Sequence, residues 1–330
     1  MLNSFKISKG HNLLIDGVPC LKLNEMTSPE LVISHPLSID GIKTKLLIKE
    51  GDNVKIGTRL FFDKRNPKVF FVSTCSGKVD KIIYGERRSV QSIQINNNHK
   101  YESERLDFDI SIDSLLKSGL WTYIRQRPFS KIPLPNSIPK SIFISGLSTQ
   151  PFAPDLDFLF NNPDNFLQSG IDVLKTLFKC DINLTSSEDS FLKKLNDVNH
   201  FTFNNLHPAG NVGVQIHHID PIKNPDDTRW YITVQDLNRI GQYYSLKKYP
   251  NYKFTSIGGI GFDKPSYFKH IIGTPISDII KEKIKSSSRI ISGDILSGKE
   301  IKIENSINYY DEILTIIKTS NKRDFLGWLS

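Results

Sequence analysis

The sequence predicts an α+β chain of several domains: an N-terminal barrel-sandwich of biotinyl/lipoyl type, a central α/β Rossmann-like domain and a C-terminal β-grasp. Three observations predict this. The first hundred residues carry short apolar runs broken by glycine turns, with no helical period. From about Ser141, strands and helices alternate, which implies an open α/β sheet. After residue 251, strands flank one short helix. A chain of 330 residues suits about two domains or three small ones. The composition and pattern place them at 1–100, 101–250 and 251–330.

The barrel-sandwich rests on an internal echo. Residues 48–60 and 83–95 each read as an apolar strand, an acid–glycine turn and a valine strand, hence two similar hairpins. Carrier domains of this type present a modified lysine at a hairpin tip. Lys64 occupies that region, but its flanks do not resemble the modification signature and Pro67 stiffens the tip. A polar linker follows at residues 96–100, then a helix with Ile112, Leu115, Leu116 and Leu120 on one face and Ser111 as its N-cap. Gly119 interrupts it before Trp121. Pro128, Pro133, Pro135 and Pro139 then keep the chain extended.

The central domain follows in alternation. Strands are expected at 142–144, 181–184, 201–203 and 230–234. Helix faces are marked by Ile171, Leu174, Leu177 and Phe178, by Phe191, Leu192 and Leu195, and by Leu237, Ile240 and Tyr244. The last domain has strands at 252–257, 267–272, 289–292 and 313–317. Thr274 caps its helix and Pro275 takes the first helical position. The closing Phe325-Leu326-Gly327-Trp328-Leu329 is apolar for a free terminus.

Composition narrows the function. No run approaches the about 20 apolar residues of a membrane span, and no signal peptide opens the chain, so a cytoplasmic protein is expected. The three cysteines, Cys20, Cys75 and Cys180, are far apart, which excludes a Cys-ligated zinc or iron–sulfur site built by this chain; all three read as buried small hydrophobes. Lys+Arg exceeds Asp+Glu by 43 to 35, but the basic residues are scattered without interleaved aromatics, which argues against nucleic acid. An anionic membrane surface or an acidic partner needs only a few of them.

The reactive motifs are missing. A dinucleotide site needs a glycine-rich loop after its first strand, and Ser145-Gly146-Leu147-Ser148-Thr149-Gln150-Pro151 is not one. The cluster Gly258-Gly259-Ile260-Gly261 lacks the Lys-Ser/Thr of a P-loop and reads as a tight connection. His207, His217, His218 and Asp220 invite a metal reading. If His217 and His218 lie in a strand, they point to opposite faces and cannot share an ion. No GxSxG or HExxH occurs.

Four blocks add a resemblance. They are residues 118–133, residues 60–67 with Ser76-Gly77, the run from His207 to Pro221, and residues 289–298. In order and spacing the chain resembles the NqrA family, whose members belong to the Na+-translocating NADH:quinone oxidoreductase. The resemblance implies a peripheral, cofactor-poor subunit on the cytoplasmic face of a bacterial inner membrane, contributing to complex assembly and quinone reduction. It implies a β-grasp of the soluble-ligand-binding type. NADH, flavins and an iron–sulfur centre would sit in partner subunits. Chief among these is the membrane quinone-site subunit, with quinone itself a possible ligand. The alternatives are a flavoenzyme, a stand-alone ligand-binding module and a member of an Rnf-like electron-transport complex, the last lacking here its cysteine clusters. Members of the NqrA family continue beyond the Gly-Trp-Leu block, so this chain reads as a truncated or shortened version.

The expected partner or quinone-proximal surface is Trp121, Arg125, Arg127, Phe129 and Lys131, joined by His207 and His217. A Pro-flanked loop with aromatic and Arg residues suits an interface anchor. The other reading of that segment is a structural extension of the preceding helix.

Overall fold

The structure, a computed structural model, describes residues 3–281 and 284–319. The apolar closing run at 325–329 lies outside the described residues.

The chain opens with a strap. Its two short strands, β1 (Asn3–Phe5) and β2 (Leu23–Glu25), pair in parallel with strands roughly two hundred residues or more away in the other two modules. Seven strands then build the first module. They are β3 (Leu31–Ser34), β4 (Thr44–Leu46), β5 (Asn53–Val54), β6 (Arg59–Asp63), β7 (Asn66–Val72), β8 (Gly77–Tyr84) and β9 (Val90–Asn97). One sheet runs β3-β9-β8-β5 and the other β4-β6-β7. Val32, Val54, Leu60, Val79 and Ile93 are buried together, and Phe61 stacks on Phe71 with ring centres 4.6 Å apart.

The two echoing segments fold differently. Residues 83–95 lie on the expected hairpin, β8 to β9. The earlier copy does not pair with itself: β5 joins β8, whereas β6 joins β4 and β7. Gly51 and Gly57, at φ +88° and +93°, turn the chain twice and send the strands to different sheets. At the β6–β7 tip only Lys64 and Arg65 lie outside the strands, and Pro67 already belongs to β7.

The link to the second module is α1 (Ile112–Lys117). The Ser111 hydroxyl caps it, accepting from Ser114 N at 3.0 Å. Gly119, at φ +77°, ends the helix, and a buried 3-10 turn over Leu120–Tyr123 leads into β10 (Arg125–Arg127). The second module continues with β11 (Ser141–Ser145), α2 (Leu156–Phe160), α3 (Leu167–Leu177), β12 (Asp181–Ser186), β13 (Asn199–Phe203), α4 (Val212–Ile219), β14 (Arg229–Thr233) and α5 (Val234–Leu246). Its sheet runs β1-β13-β12-β11-β14-β10, parallel except for β10 at the edge. Ile142, Ile144, Trp230 and Ile232 face the side covered by α3 and α5. Phe143 and Tyr231 face α4 through Val212 and Ile216. The expected helix around Phe191 is a single 3-10 turn capped by Ser190.

The third module has β15 (Tyr252–Gly258), β16 (Ser266–Ile271), α6 (Ile276–Ile280), β17 (Ser288–Ser292), β18 (Lys299–Glu300) and β19 (Ile313–Lys318). Its sheet runs β18-β17-β19-β15-β16-β2, with α6 packed through Ile276 and Ile280 on Ile257, Leu314 and Ile316. Pro275, not Thr274, holds the cap position of α6. Of the cysteines only Cys75 is buried; Cys20 is exposed on the strap, because its segment spans two modules instead of entering either core. Among the described residues no helix is long and apolar enough to cross a membrane.

Candidate functional site

The Pro-rich segment after β10 makes a tight return at the edge of the central sheet. Gln126 N donates to the Lys131 carbonyl at 2.7 Å, closing a turn over residues 127–130. Phe129 and Ser130 both hold left-handed backbone, at φ +74° and +51°. Neither residue type adopts that region freely, so the surroundings must impose it. The Ser130 hydroxyl, 2.6 Å from the Tyr231 hydroxyl, pins the turn to β14. Phe129 is thereby held in solvent, 67% exposed, with the Lys131 ammonium 5.2 Å from its ring centre.

Arg125 and Arg127 alternate onto one face of β10. The Arg125 guanidinium lies between Tyr231 and Tyr310, at 4.7 and 4.4 Å from their ring centres, and Arg127 lies 5.7 Å from Tyr231. Such stacking holds a cation without a counter-ion. Among the described residues neither guanidinium pairs with a carboxylate, and the buried Arg127 Nε has no hydrogen-bond partner.

Trp121 does not belong to this surface. It is fully buried, edge-on to Trp230 at 5.6 Å, and its Nε1 donates to the Pro133 carbonyl at 3.0 Å. An indole of that size finds more apolar area in the core than a loop offers, and its one donor ties down the returning chain from beneath. His207 and His217 also stand apart from the turn. His207 Nδ1 lies 3.2 Å from Thr149 Oγ1, which accepts from Gly210 N at 3.0 Å. His217 is exposed on α4, not on a strand, and meets His218 edge-on at 5.4 Å. His218 Nδ1 donates to the Val214 carbonyl. Among the described residues no group of three metal-ligating side chains converges.

Sequence reasoning missed the ion cluster around the neighbouring strand's buried Arg229, naming Asp220 only as a possible metal ligand. Arg229, fully buried, grips Asp220 through Nε and Nη2 and Asp227 through Nη1. The Arg229 hydrogen bond holds the Asp227 carboxyl down to about 2. Lys140 and Ser141 also bind Asp220. Beyond Asp220 itself, the sequence signal was an arginine beside Trp230 after two aspartates.

The crevice that an α/β sheet offers a cofactor lies at the carboxyl ends of its strands, where the strand order reverses. Here that point lies between β11 and β14. The chain's own third module fills it. Thr233, the N-cap of α5, donates to Glu312 Oε1 at 2.9 Å; Phe152 packs on Gly258, and its carbonyl accepts from Ser256 Oγ at 2.6 Å. A Cβ at Gly258 would overlap the Phe152 ring. Behind this plug lies a buried polar cluster. Arg239 Nη1 donates to Asp236 at 2.6 Å and its Nε to the Tyr252 carbonyl at 3.1 Å. Burial, then the nearby Arg239 charge, pushes the Lys253 ammonium down to about 8, and burial followed by the Lys253 charge pushes His270 down to about 3.

Three family models match in chain order. They are the NqrA N-terminal barrel-sandwich hybrid domain over residues 5–98, the NqrA second alpha/beta domain over 109–247 and the NQRA C-terminal domain over 255–302. The chain is 31% identical over 339 residues to the NqrA subunit of the Na(+)-translocating NADH-quinone reductase of Yersinia pestis bv. Antiqua (strain Angola), covering 98% of this chain and 75% of that one. Its identity to the corresponding subunit of Haemophilus influenzae (strain PittGG) is 31% over 338 residues, with the same coverage. The chain belongs to the NqrA family of Na+-translocating NADH-quinone reductase subunits. A chain of an NAD+-reducing [NiFe]-hydrogenase aligns over 56% of this chain and 41% of its own, at 9% identity and a TM-score of 0.42, and a likeness at that level carries no argument.

In this NqrA family member, the four resembling blocks fall on recognisable parts. They are the 3-10 turn with β10 and its return, the β6–β7 hairpin, the loop entering α4, and β17 with the Gly293 turn at φ +98°. The expected barrel-sandwich agrees with the description of the first matched model.

Proposed function

We propose that this chain is a peripheral, cofactor-poor subunit of a Na+-translocating NADH-quinone reductase, placed on the cytoplasmic face of the membrane. It would help to assemble the quinone-reducing end of the complex. Flavins, the iron–sulfur centre and NADH would be held by partner subunits, and the membrane quinone-site subunit would be its chief neighbour. The carrying observation is family membership across 98% of the chain. The third module's contacts at the carboxyl ends of the central strands, Thr233 to Glu312 and Phe152 against Gly258 and Ser256, support the cofactor-poor part of the reading. On this reading, the three modules are a barrel-sandwich, a Rossmann-like domain and a β-grasp, divided near residues 100 and 250.

Of the expected surface, Arg125 and Arg127 on β10 are the residues proposed to face the quinone-reducing end. Two guanidiniums with no acid partner among the described residues are ready to meet carboxylates or polarised carbonyl oxygens. His207 and His217, lying elsewhere, are left as polar contacts of their own loop and helix. The test is a complex purified from membranes through a tag on this chain. With Arg125→Ala and Arg127→Ala together, the co-purified flavin-bearing subunits or the quinone-reduction rate should fall. Unchanged yield and unchanged rate would remove this surface from the proposal.

A further inference from the structure

We infer that the turn closing β10 is a lipid-contact point. Phe129 would enter the interfacial zone of an anionic membrane, while the exposed Lys131 beside it meets lipid phosphates. Three observations lead there. First, the fold presents Phe129 to water: the left-handed backbone at Phe129 and Ser130, the Ser130–Tyr231 hydroxyl contact and the Gln126–Lys131 hydrogen bond hold the ring 67% exposed. An aromatic ring at headgroup depth is a favoured placement.

Second, the charge around the ring is positive and uncommitted. Arg127 and Lys131 flank it without an acid partner among the described residues. Of the acids at that end of the sheet, Asp220 and Asp227 are held by Arg229, and Asp220 also by Lys140, while Asp226 is exposed beside them. Third, a second apolar point stands at the same end. Ile138 is 82% exposed two residues before Lys140. Lys140 binds Asp220, Asp220 binds Arg229, and Arg229 is the register partner of Arg127 across β10 and β14. Phe129 and Ile138 are two separate exposed apolar points, not one continuous apolar face. A lipid surface conforms to both, and its phosphates match the cations.

This inference rests on the membrane-peripheral reading, but its test needs no other component of the complex, so the two fail separately. The full chain is sedimented with phosphatidylglycerol-rich vesicles and with phosphatidylcholine vesicles. Phe129→Asn removes the ring while keeping a residue that tolerates left-handed backbone. Lys131→Gln removes one charge. We expect sedimentation with the anionic vesicles, weakened by salt, about fivefold weaker with Lys131→Gln, and weaker still with Phe129→Asn, at unchanged circular dichroism. Sedimentation with neither vesicle, equal partition into both, or anionic binding that ignores both substitutions would overturn the inference. So would a photo-crosslinker at position 129 that, in native membranes, captures protein and no lipid.

Discussion

Trp121 shows how a single residue can look like a surface anchor and be a core post. In sequence it sits among arginines and prolines, the company an interface residue keeps. Its burial depends on Phe178 and Trp230, residues about sixty and a hundred positions later, and no local pattern reports them. Trp121→Ala should therefore cost about 3–5 kcal/mol of stability, read from denaturant unfolding, and should free Pro133 from its indole donor. A surface anchor would leave that transition where it is. His270 is the residue-scale case for pH. Burial and the Lys253 charge lower its pKa to about 3, so the native state resists protonation. The unfolded chain takes up the proton near the usual 6.5, and stability from this group is lost as pH falls between about 6.5 and 3. Melting temperature should drop across that window, and His270→Asn should flatten the slope there.

At the scale of elements, periodicity guided better than pairing, although it overran at Phe191, where a single 3-10 turn stands in place of a helix. The helix face of Leu237, Ile240 and Tyr244 and the Ser111 cap could be read directly, because both depend on neighbours within a turn or two. The first echo in the barrel could not, since the partners of β5 and β6 are chosen by register across the module. His217 and His218 misled for a related reason: a run of Ile, His and Ile suits a strand or one side of a short helix equally. The crossing of α3 and α5 can be tested at this scale. The two helices meet at Gly170 and Gly241, where a Cβ on Gly241 would overlap the Phe166 carbonyl oxygen and one on Gly170 would come within 2.5 Å of the Leu237 carbonyl oxygen. Gly241→Ala should destabilise by about 1–3 kcal/mol despite the better helix propensity of alanine, measured by thermal or urea unfolding. A neutral or stabilising result would mean the helices separate at little cost.

For the whole molecule, the order of modules was legible because each has its own pattern of strand and helix. The way they lock together was not. Glu312, Ser256 and Phe152 come from distant parts of the chain, and their meeting over Thr233 closes the crevice that the glycine-poor loop only hinted at. The same junction buries Lys253, with its pKa lowered to about 8. Since the unfolded lysine titrates near 10.4, the folded protein should gain stability as pH rises from about 8 towards 10. Lys253→Met should abolish that gain, as followed by melting temperature in that range. The His270 and Lys253 predictions both concern the seam between modules, which is where a change in one would be felt by the other.

The opening strap has a consequence for how the chain is made. β1 leaves the ribosome well before the strand it joins, β13, which lies roughly 200 residues later, and the partner of β2 is later still. At about 5–20 residues per second, β1 waits roughly 10–40 s before its place in the sheet exists. During that interval the first module can close on its own short-range pairings, whereas the strap must stay unpaired and unaggregated. The exposed Lys6, Lys9 and Lys22 beside the strap's apolar residues suit that waiting period, since charge next to an unpaired strand discourages premature pairing. The sheets of the second and third modules thus each take an edge strand from a segment made long before the strand it joins.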